Sequence, residues 1–331
     1  MSAIVGSLAT VTCGGVKKRP ALTKNDEGGL SMTRKDRAVK VATVTQDYLG
    51  AESREERIEG TLKRLEFASA CRPDIACLPE IFSGGPAETV PGPMTERLSQ
   101  WARSKSCYVV CSIATLENGR KYNSAVLLDR KGEIVGKYDK LHPAEGELKN
   151  GICPGKTPPP VFETDFGTIG IQICFDVNWW EGWRSLKQQG AEVIFWPSAY
   201  PAHRQLSALA WVNEVYIVSS TRTRASRIYD ITGSVIAQSG KFQPWAQATV
   251  HLGKRLFEID NHVGPMREVA AKYGRRVLIE WHHDEDWVTL ASLDPELTVE
   301  SIMAEFGLLP FTPYLARCEK AIEEARVRLG L

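Results

Sequence analysis

An α/β layered fold is what this sequence predicts, and three observations carry the prediction. Short apolar runs of strand type alternate with segments whose apolar residues recur at helical spacing. The alternation runs from Val39 to about Asp260 without a Pro/Gly/Ser linker, so one domain accommodates it. Past Asp260 the pattern turns helical.

Taken in order, residues 1–37 carry Gly14-Gly15 and Gly28-Gly29 among charges and show no periodicity, which predicts a disordered leader. Val39 to Val44 alternates as a strand. Ile58, Leu62 and Leu65 fall on one face of a helix over about 53–70. Ile75 to Leu78 is a strand, a Gly/Pro-rich loop runs through Pro93, and a helix covers about 94–105. Cys107 to Leu116 and Ser124 to Asp129 are β-type runs on either side of an Asn118-Gly119 turn, and Glu133 to Tyr138 follows the turn at Gly132. Thr168 to Cys174 reads as a strand, 179–189 as a helix, Glu192 to Pro197 as a strand, 203–214 as a helix and Tyr216 to Ser220 as a strand. The resulting organisation is a leader over 1–37, a domain over 38–260 and a C-terminal extension over 261–331. Helices are expected in that extension at 263–273, 299–306 and 313–329, and the apolar run Leu308, Leu309, Phe311, Tyr314 and Leu315 needs cover from the domain or a partner subunit.

Composition narrows the function class. Lys and Arg total 41 against 40 Asp and Glu, a formal net charge of +1, so no global field attracts nucleic acid or an anionic membrane. No apolar run approaches the roughly 18 residues that would span a bilayer. The cysteines, at 13, 71, 77, 107, 111, 153, 174 and 318, form no CxxC pair, which fits free thiols in a reducing, cytoplasmic setting. The mildly apolar Ala3 to Val11 has no preceding Lys or Arg and does not read as an export signal.

Three segments each end a strand on a reactive side chain. In Cys77-Leu78-Pro79-Glu80 a carboxylate at a sheet edge is partly desolvated, a suitable setting for a base. Lys137-Tyr138-Asp139-Lys140-Leu141-His142-Pro143 places Lys140 at the start of a loop rather than on a solvated helix face. Gly170 to Asp176 delivers Cys174 into a strand–turn–helix elbow, which leaves the Phe175 N–H free for an oxyanion. A free thiol, with a pKa of about 8.5, needs help to become a thiolate, and a lysine beside it favours the anion. His142 beside Pro143 reads as a packed or capping residue rather than the partner of a Cys–His couple.

Together, Leu78-Pro79-Glu80, Tyr138-Asp139-Lys140-Leu141-His142 and Ile173-Cys174-Phe175-Asp176 resemble the Glu-Lys-Cys motifs of the carbon–nitrogen hydrolase family, the nitrilase superfamily. Supporting matches are Gly146-Glu147, Pro154-Gly155, Phe166-Gly167, Trp196-Pro197-Ser198-Ala199 and Asp230-Ile231-Thr232-Gly233. The resemblance implies a four-layer αββα sandwich, with subunits pairing into a homodimer or higher homo-oligomer. It also implies Glu80 as base, Cys174 as nucleophile forming an acyl-thioester, and Lys140 with the Phe175 N–H at the oxyanion. Glu147 matches the family's second carboxylate, with Glu145 close enough to compete for the role. No metal or organic cofactor is called for. Asn178 stands where branches acting on carboxylate-bearing substrates place arginine, which points to a neutral acyl group, although Arg222 or Arg224 can bring a cation from another loop. Trp179 and Tyr200 are candidate pocket residues. Phe175-Asp176 follows the amidase and carbamoylase pattern rather than the Trp-Glu of nitrile-cleaving relatives. The expected reaction is therefore hydrolysis of a small-molecule amide or N-carbamoyl compound. Nitrile hydrolysis and a non-catalytic scaffold of the same fold are the alternatives.

Overall fold

In the computed structural model, which describes residues 37–331, strands and helices succeed one another as β1 (Arg37–Val44), α1 (Arg54–Ala68), β2 (Ile75–Cys77), α2 (Pro93–Lys105), β3 (Tyr108–Glu117), β4 (Arg120–Leu128), β5 (Ile134–Asp139) and α3 (Glu145–Lys149). They continue as β6 (Val161–Glu163), β7 (Thr168–Ile171), α4 (Trp180–Gln188), β8 (Val193–Ser198), α5 (His203–Asn213), β9 (Tyr216–Thr221), β10 (Arg227–Tyr229), β11 (Val235–Gln238) and β12 (Trp245–Leu252). Then come β13 (Arg255–Glu258), α6 (Val263–Tyr273), β14 (Val277–His282), β15 (Trp287–Ser292), α7 (Val299–Phe306) and α8 (Phe311–Leu329). Of the leader expected over residues 1–37, residues 1–36 lie outside the described residues, and Arg37 already opens β1.

Local chemistry sets the helix starts. Ser53 caps α1 by accepting from the Glu56 N–H, and Pro93 opens α2 where a missing N–H costs nothing. The strands build two six-stranded sheets, in the orders β12-β1-β2-β3-β4-β5 and β11-β10-β9-β8-β7-β6. Strands β1, β2 and β3 run parallel in the first sheet, as β7, β8 and β9 do in the second.

Both faces of the central strands are apolar, as expected of sheets covered on both sides. From β1, Val39 and Val41 face the second sheet, whereas Ala42 and Val44 face α1 and α2. From β8, Val193 and Phe195 face the first sheet, whereas Ile194 and Trp196 face α4 and α5. The period-2 alternation of strands thereby produces three apolar cores between four layers, the expected αββα sandwich. Hydrogen bonds stitch the two sheets together where the parallel strands end. Thr43 Oγ1 donates to Ser219 O at 2.7 Å, and Ser220 Oγ lies 2.8 Å from Val44 O and 3.1 Å from Cys77 O.

Two differences from the sequence reading matter. Strand β7 stops at Ile171, so Cys174 opens a short 3-10 turn, Cys174–Asn178, instead of ending the strand. The extension contains its three expected helices and, in addition, strands β14 and β15, which complete a three-stranded sheet with β13 in the order β13-β15-β14. Leu308 is buried in the core of that extension, and Phe311 packs 5.9 Å from Trp287, so much of the apolar run is covered by its own chain. No helix among the described residues is long and apolar enough to cross a membrane.

Candidate active site

Glu80, Lys140 and Cys174 arrive from three different strand ends and converge. Glu80 lies three residues beyond β2, Lys140 directly follows β5, and Cys174 follows β7 after Gln172-Ile173. Carboxyl ends of parallel strands are where open α/β folds collect ligands. The placement is buried: Lys140 is 1%, Glu80 3% and Cys174 7% exposed.

A buried lysine requires partners. Lys140 Nζ donates to Glu80 Oε1 at 2.9 Å and to Glu147 Oε2 at 2.7 Å. Asn123, on β4, bridges the same two carboxylates, with Nδ2 at 2.8 Å from Glu80 Oε1 and from Glu147 Oε1. Because both contacts are to carboxylate oxygens, the amide can only present its NH₂ there. The Ala144 N–H donates to Glu147 Oε2 at 2.7 Å, fixing that carboxylate at the start of α3. Glu145, two positions earlier, faces solvent and pairs with Lys149. Of the two competing carboxylates, Glu147 is therefore the one against Lys140. Burial raises its carboxyl, but Lys140, Asn123 and the Ala144 N–H outweigh this and hold it below the usual range. Burial disfavours the Lys140 ammonium, yet the Glu80 and Glu147 carboxylates together keep it more firmly protonated than usual.

Glu80 spends only one oxygen in this network. Oε2 is buried and has no hydrogen-bond partner among the described residues. A buried carboxylate oxygen left open in this way is free to accept a proton.

Cys174 is held in an unusual backbone state, with φ +47°, in the left-handed region that non-glycine residues rarely occupy. Neighbours enforce it. Trp196 Nε1 donates to Cys174 O at 3.1 Å. Asp176, fully buried, ties the turn to the lysine segment: Oδ2 accepts from the Ile173 N–H at 2.9 Å and from Tyr138 Oη at 2.7 Å. Its Oδ1 accepts from the His142 N–H at 2.8 Å and lies 2.8 Å from His142 Nδ1. His142 is thus a positioning residue stacked on Trp179 at 4.0 Å, as the sequence reading held, rather than a partner of the thiol.

The electrostatic balance at sulfur differs from the expectation that lysine would favour a resting thiolate. Burial first, and then the Glu80 charge, push the Cys174 thiol up to about 12; Lys140, the Ala199 backbone and the Ser198 hydroxyl pull the other way without prevailing. The resting group is a thiol.

The remaining candidates surround this centre. Phe175 and Trp179 are each 36% exposed and meet edge to face at 5.3 Å. The Phe175 N–H lies in the first turn of the 3-10 segment, where helical geometry supplies no acceptor. Tyr200 packs edge to face on Trp196, and the Lys140 and Glu80 charges both act on its hydroxyl. Asn178 is exposed, its Nδ2 donating to Phe175 O at 3.0 Å and its Oδ1 accepting from Gln205 at 2.9 Å. Asn123 and Asp176 were missed as site residues by the sequence reading. Asn123 carries no local signal, and Asp176 was noted only as part of the cysteine motif. Among the described residues no cluster of His, Cys, Asp and Glu is arranged to hold a metal ion.

Comparison with known proteins adds independent findings. A family model described as carbon-nitrogen hydrolase matches residues 40–255. The chain is 27% identical over 254 residues to Omega-amidase NIT2 of Xenopus tropicalis, covering 66% of this chain and 91% of that protein. It is 29% identical over 228 residues to the deaminated glutathione amidase of Mus musculus, covering 56% of this chain and 70% of that one. In fold it resembles Saccharomyces cerevisiae Nit3, a member of branch 10 of the nitrilase superfamily, with a TM-score of 0.57 at 21% identity over 65% of this chain and 90% of the other. It also resembles a carbon-nitrogen hydrolase from Helicobacter pylori G27, with a TM-score of 0.58 at 19% identity over 71% and 93% of the two chains.

Proposed function

The chain belongs to the carbon–nitrogen hydrolase family, and from that premise we propose that it hydrolyses a non-peptide amide or N-carbamoyl bond through an acyl-thioester on Cys174. The observation that carries this reading is the open, buried Oε2 of Glu80, beside a thiol that rests protonated. As sulfur attacks the substrate carbon, its proton passes to Glu80, so no free thiolate is needed. The Lys140 ammonium and the Phe175 N–H hold the oxyanion that forms. Glu80 returns the proton to the leaving nitrogen, ammonia or an amine departs, and the acyl group remains on sulfur. Water then attacks the thioester, gives a proton to Glu80, and the thiol is restored as the acid leaves. Glu147 and Asn123 keep Lys140 and Glu80 in place throughout.

Amide-cleaving relatives, together with Phe175-Asp176 at the elbow, support an amide over a nitrile. A panel of amides, N-carbamoyl compounds and nitriles, assayed for ammonia, tests the reaction class. Cys174→Ala should abolish ammonia release while still unfolding in a single cooperative transition, since a small truncation at the elbow costs a few kcal/mol at most. Near-parental turnover by that variant would sink the nucleophile assignment.

The family resemblance also supports a homodimer. Trp180 is 64% and Val212 51% exposed on the outer face of α4 and α5, where they line an apolar hollow of about 250 Å³ with Ala208 and Leu209. A second copy covers this face in the proposed assembly.

A further inference from the structure

Arg222 directly follows β9, and its backbone N–H donates to Ser198 O at 2.9 Å. The next residue is pinned too, Thr223 Oγ1 donating to Ala199 O at 2.8 Å. The loop that begins at Arg222 is therefore fastened to the two residues that flank the Cys174 sulfur. From there Arg222 Nη2 stands 3.9 Å from Glu80 Oε2, the oxygen that nothing else engages.

That distance is too long for a hydrogen bond. Glu80 is already oriented by Lys140 and Asn123 through its other oxygen, so the guanidinium does not serve to position it. Arg222 has no second acidic partner among the described residues, and its side chain is 42% exposed. A fork of five N–H donors thus stands at the mouth of a buried reaction centre with its capacity unspent.

A second cationic surface lies next to Arg222 along the chain. An open cavity of about 740 Å³ begins at Tyr200, beside the thiol, and is lined by His203, Arg204, Thr223 and Arg224. No acidic side chain lines it among the described residues. Asp47 is close by, but its Oδ2 accepts from the Arg224 N–H at 2.5 Å. Asn178, the elbow residue whose neutrality pointed to an uncharged acyl group, is already engaged by Phe175 and Gln205.

We propose that Arg222, with Arg224 on the cavity wall, binds a carboxylate of the substrate. The preferred substrates are then amides or N-carbamoyl compounds that carry a carboxylate a few atoms from the scissile bond. A planar guanidinium takes a carboxylate bidentately, and a cationic mouth with no opposing acid concentrates anions at the entrance. The inference rests on the amidase reading above and supplies the substrate class that the elbow sequence leaves open.

The test compares pentanamide with glutaric acid monoamide, which has the same chain length and ends in a carboxylate. Ammonia release is followed with the parent, Arg222→Met, Arg222→Lys and Arg224→Met, with Cys174→Ala as blank. The parent should favour the acid amide by about tenfold or more in kcat/KM. Arg222→Met should lose roughly 30-fold or more on the acid amide, chiefly in KM, and this loss should exceed that on pentanamide by at least about tenfold. Arg222→Lys should recover part of it, and added salt should weaken only the acid amide. Equal losses on both amides with KM unchanged would make Arg222 an electrostatic support of Glu80 and overturn the proposal, as would a parent with no preference. If the parent cleaves neither amide, the wider panel of amides and N-carbamoyl compounds tests the amidase reading on its own. Calorimetry with glutarate, which has no scissile bond, then decides the arginine assignment: tight binding lost in Arg222→Met upholds it, and no binding to the parent overturns it.

Discussion

At the scale of single residues, the proposed mechanism turns on one scarce resource, an acceptor for the thiol proton. Lys140 and Asn123 occupy Oε1 of Glu80 and leave Oε2 open, so the carboxylate is oriented without being consumed. The same burial that sharpens this network pushes the Cys174 thiol up to about 12. Alkylation of Cys174 by iodoacetamide should therefore keep rising with pH from about pH 6 to about pH 9 without a plateau, and thiolate absorbance should match that of Cys174→Ala across the range. A plateau near neutral pH would show a resting thiolate and require a different proton route. Lys140 sits where shape matters as well as charge, between two carboxylates at 2.9 and 2.7 Å. A guanidinium cannot place one nitrogen at the same point. Turnover of Lys140→Arg should fall by about 10²–10³ or more, the usual effect of losing an oxyanion donor, and Lys140→Ala further. Catalysis by the arginine variant within a few-fold of the parent would remove Lys140 from contact with the reacting carbonyl.

At the scale of elements, each reactive group depends on how its strand is terminated. The end of β5 is clamped by Gly155, whose N–H donates to Lys140 O at 2.9 Å. A methyl group added at Gly155 would overlap the Asp139 carbonyl oxygen, which belongs to backbone and cannot swing aside. Gly155→Ala should cost about 1–3 kcal/mol of stability, seen as a lower Tm, and should reduce kcat by displacing the start of the Lys140 loop. Parental kcat in that variant would show that the loop tolerates the shift. Strand β12 shows how far an element can be from its partner in sequence. It pairs antiparallel with β1 along its whole length, Arg37 opposite Leu252 through Val44 opposite Trp245. Its residues Ala246, Val250 and Leu252 alternate inward, so a strand signal was present there and went unread. The same holds for the Val277–His282 and Trp287–Ser292 pair in the extension.

At the scale of the whole molecule, the extension is joined to the sandwich by charge as well as by packing. Lys254 Nζ lies 2.9 Å from Asp230 Oδ1 and 2.6 Å from Glu280 Oε2, and both Lys254 and Asp230 are buried. This places the Asp230-Ile231-Thr232-Gly233 segment, matched by the family resemblance, in a structural role at the junction with β14 rather than at the thiol. The outer face of α4 and α5 is the other large-scale feature. If a second copy covers it, Trp180→Glu combined with Val212→Glu should halve the mass seen by light scattering or lower it further. An unchanged assembly would place the interface elsewhere.

The sequence by itself determined the layered α/β class, the strand ends that deliver Glu80, Lys140 and Cys174, and the family motifs around them. These are legible because apolar alternation and turn residues are local signals, and each reactive residue lies within a few positions of its strand. Tertiary structure decided what those residues touch. Glu145 and Glu147 sit about 200° apart around a helix, and only the placement of α3 turns one towards Lys140 and the other to solvent. Asn123 is 43 residues from Glu80, and Arg222 reaches it from the other sheet. Such contacts depend on register between strands and on how two sheets stack, quantities that no local pattern encodes.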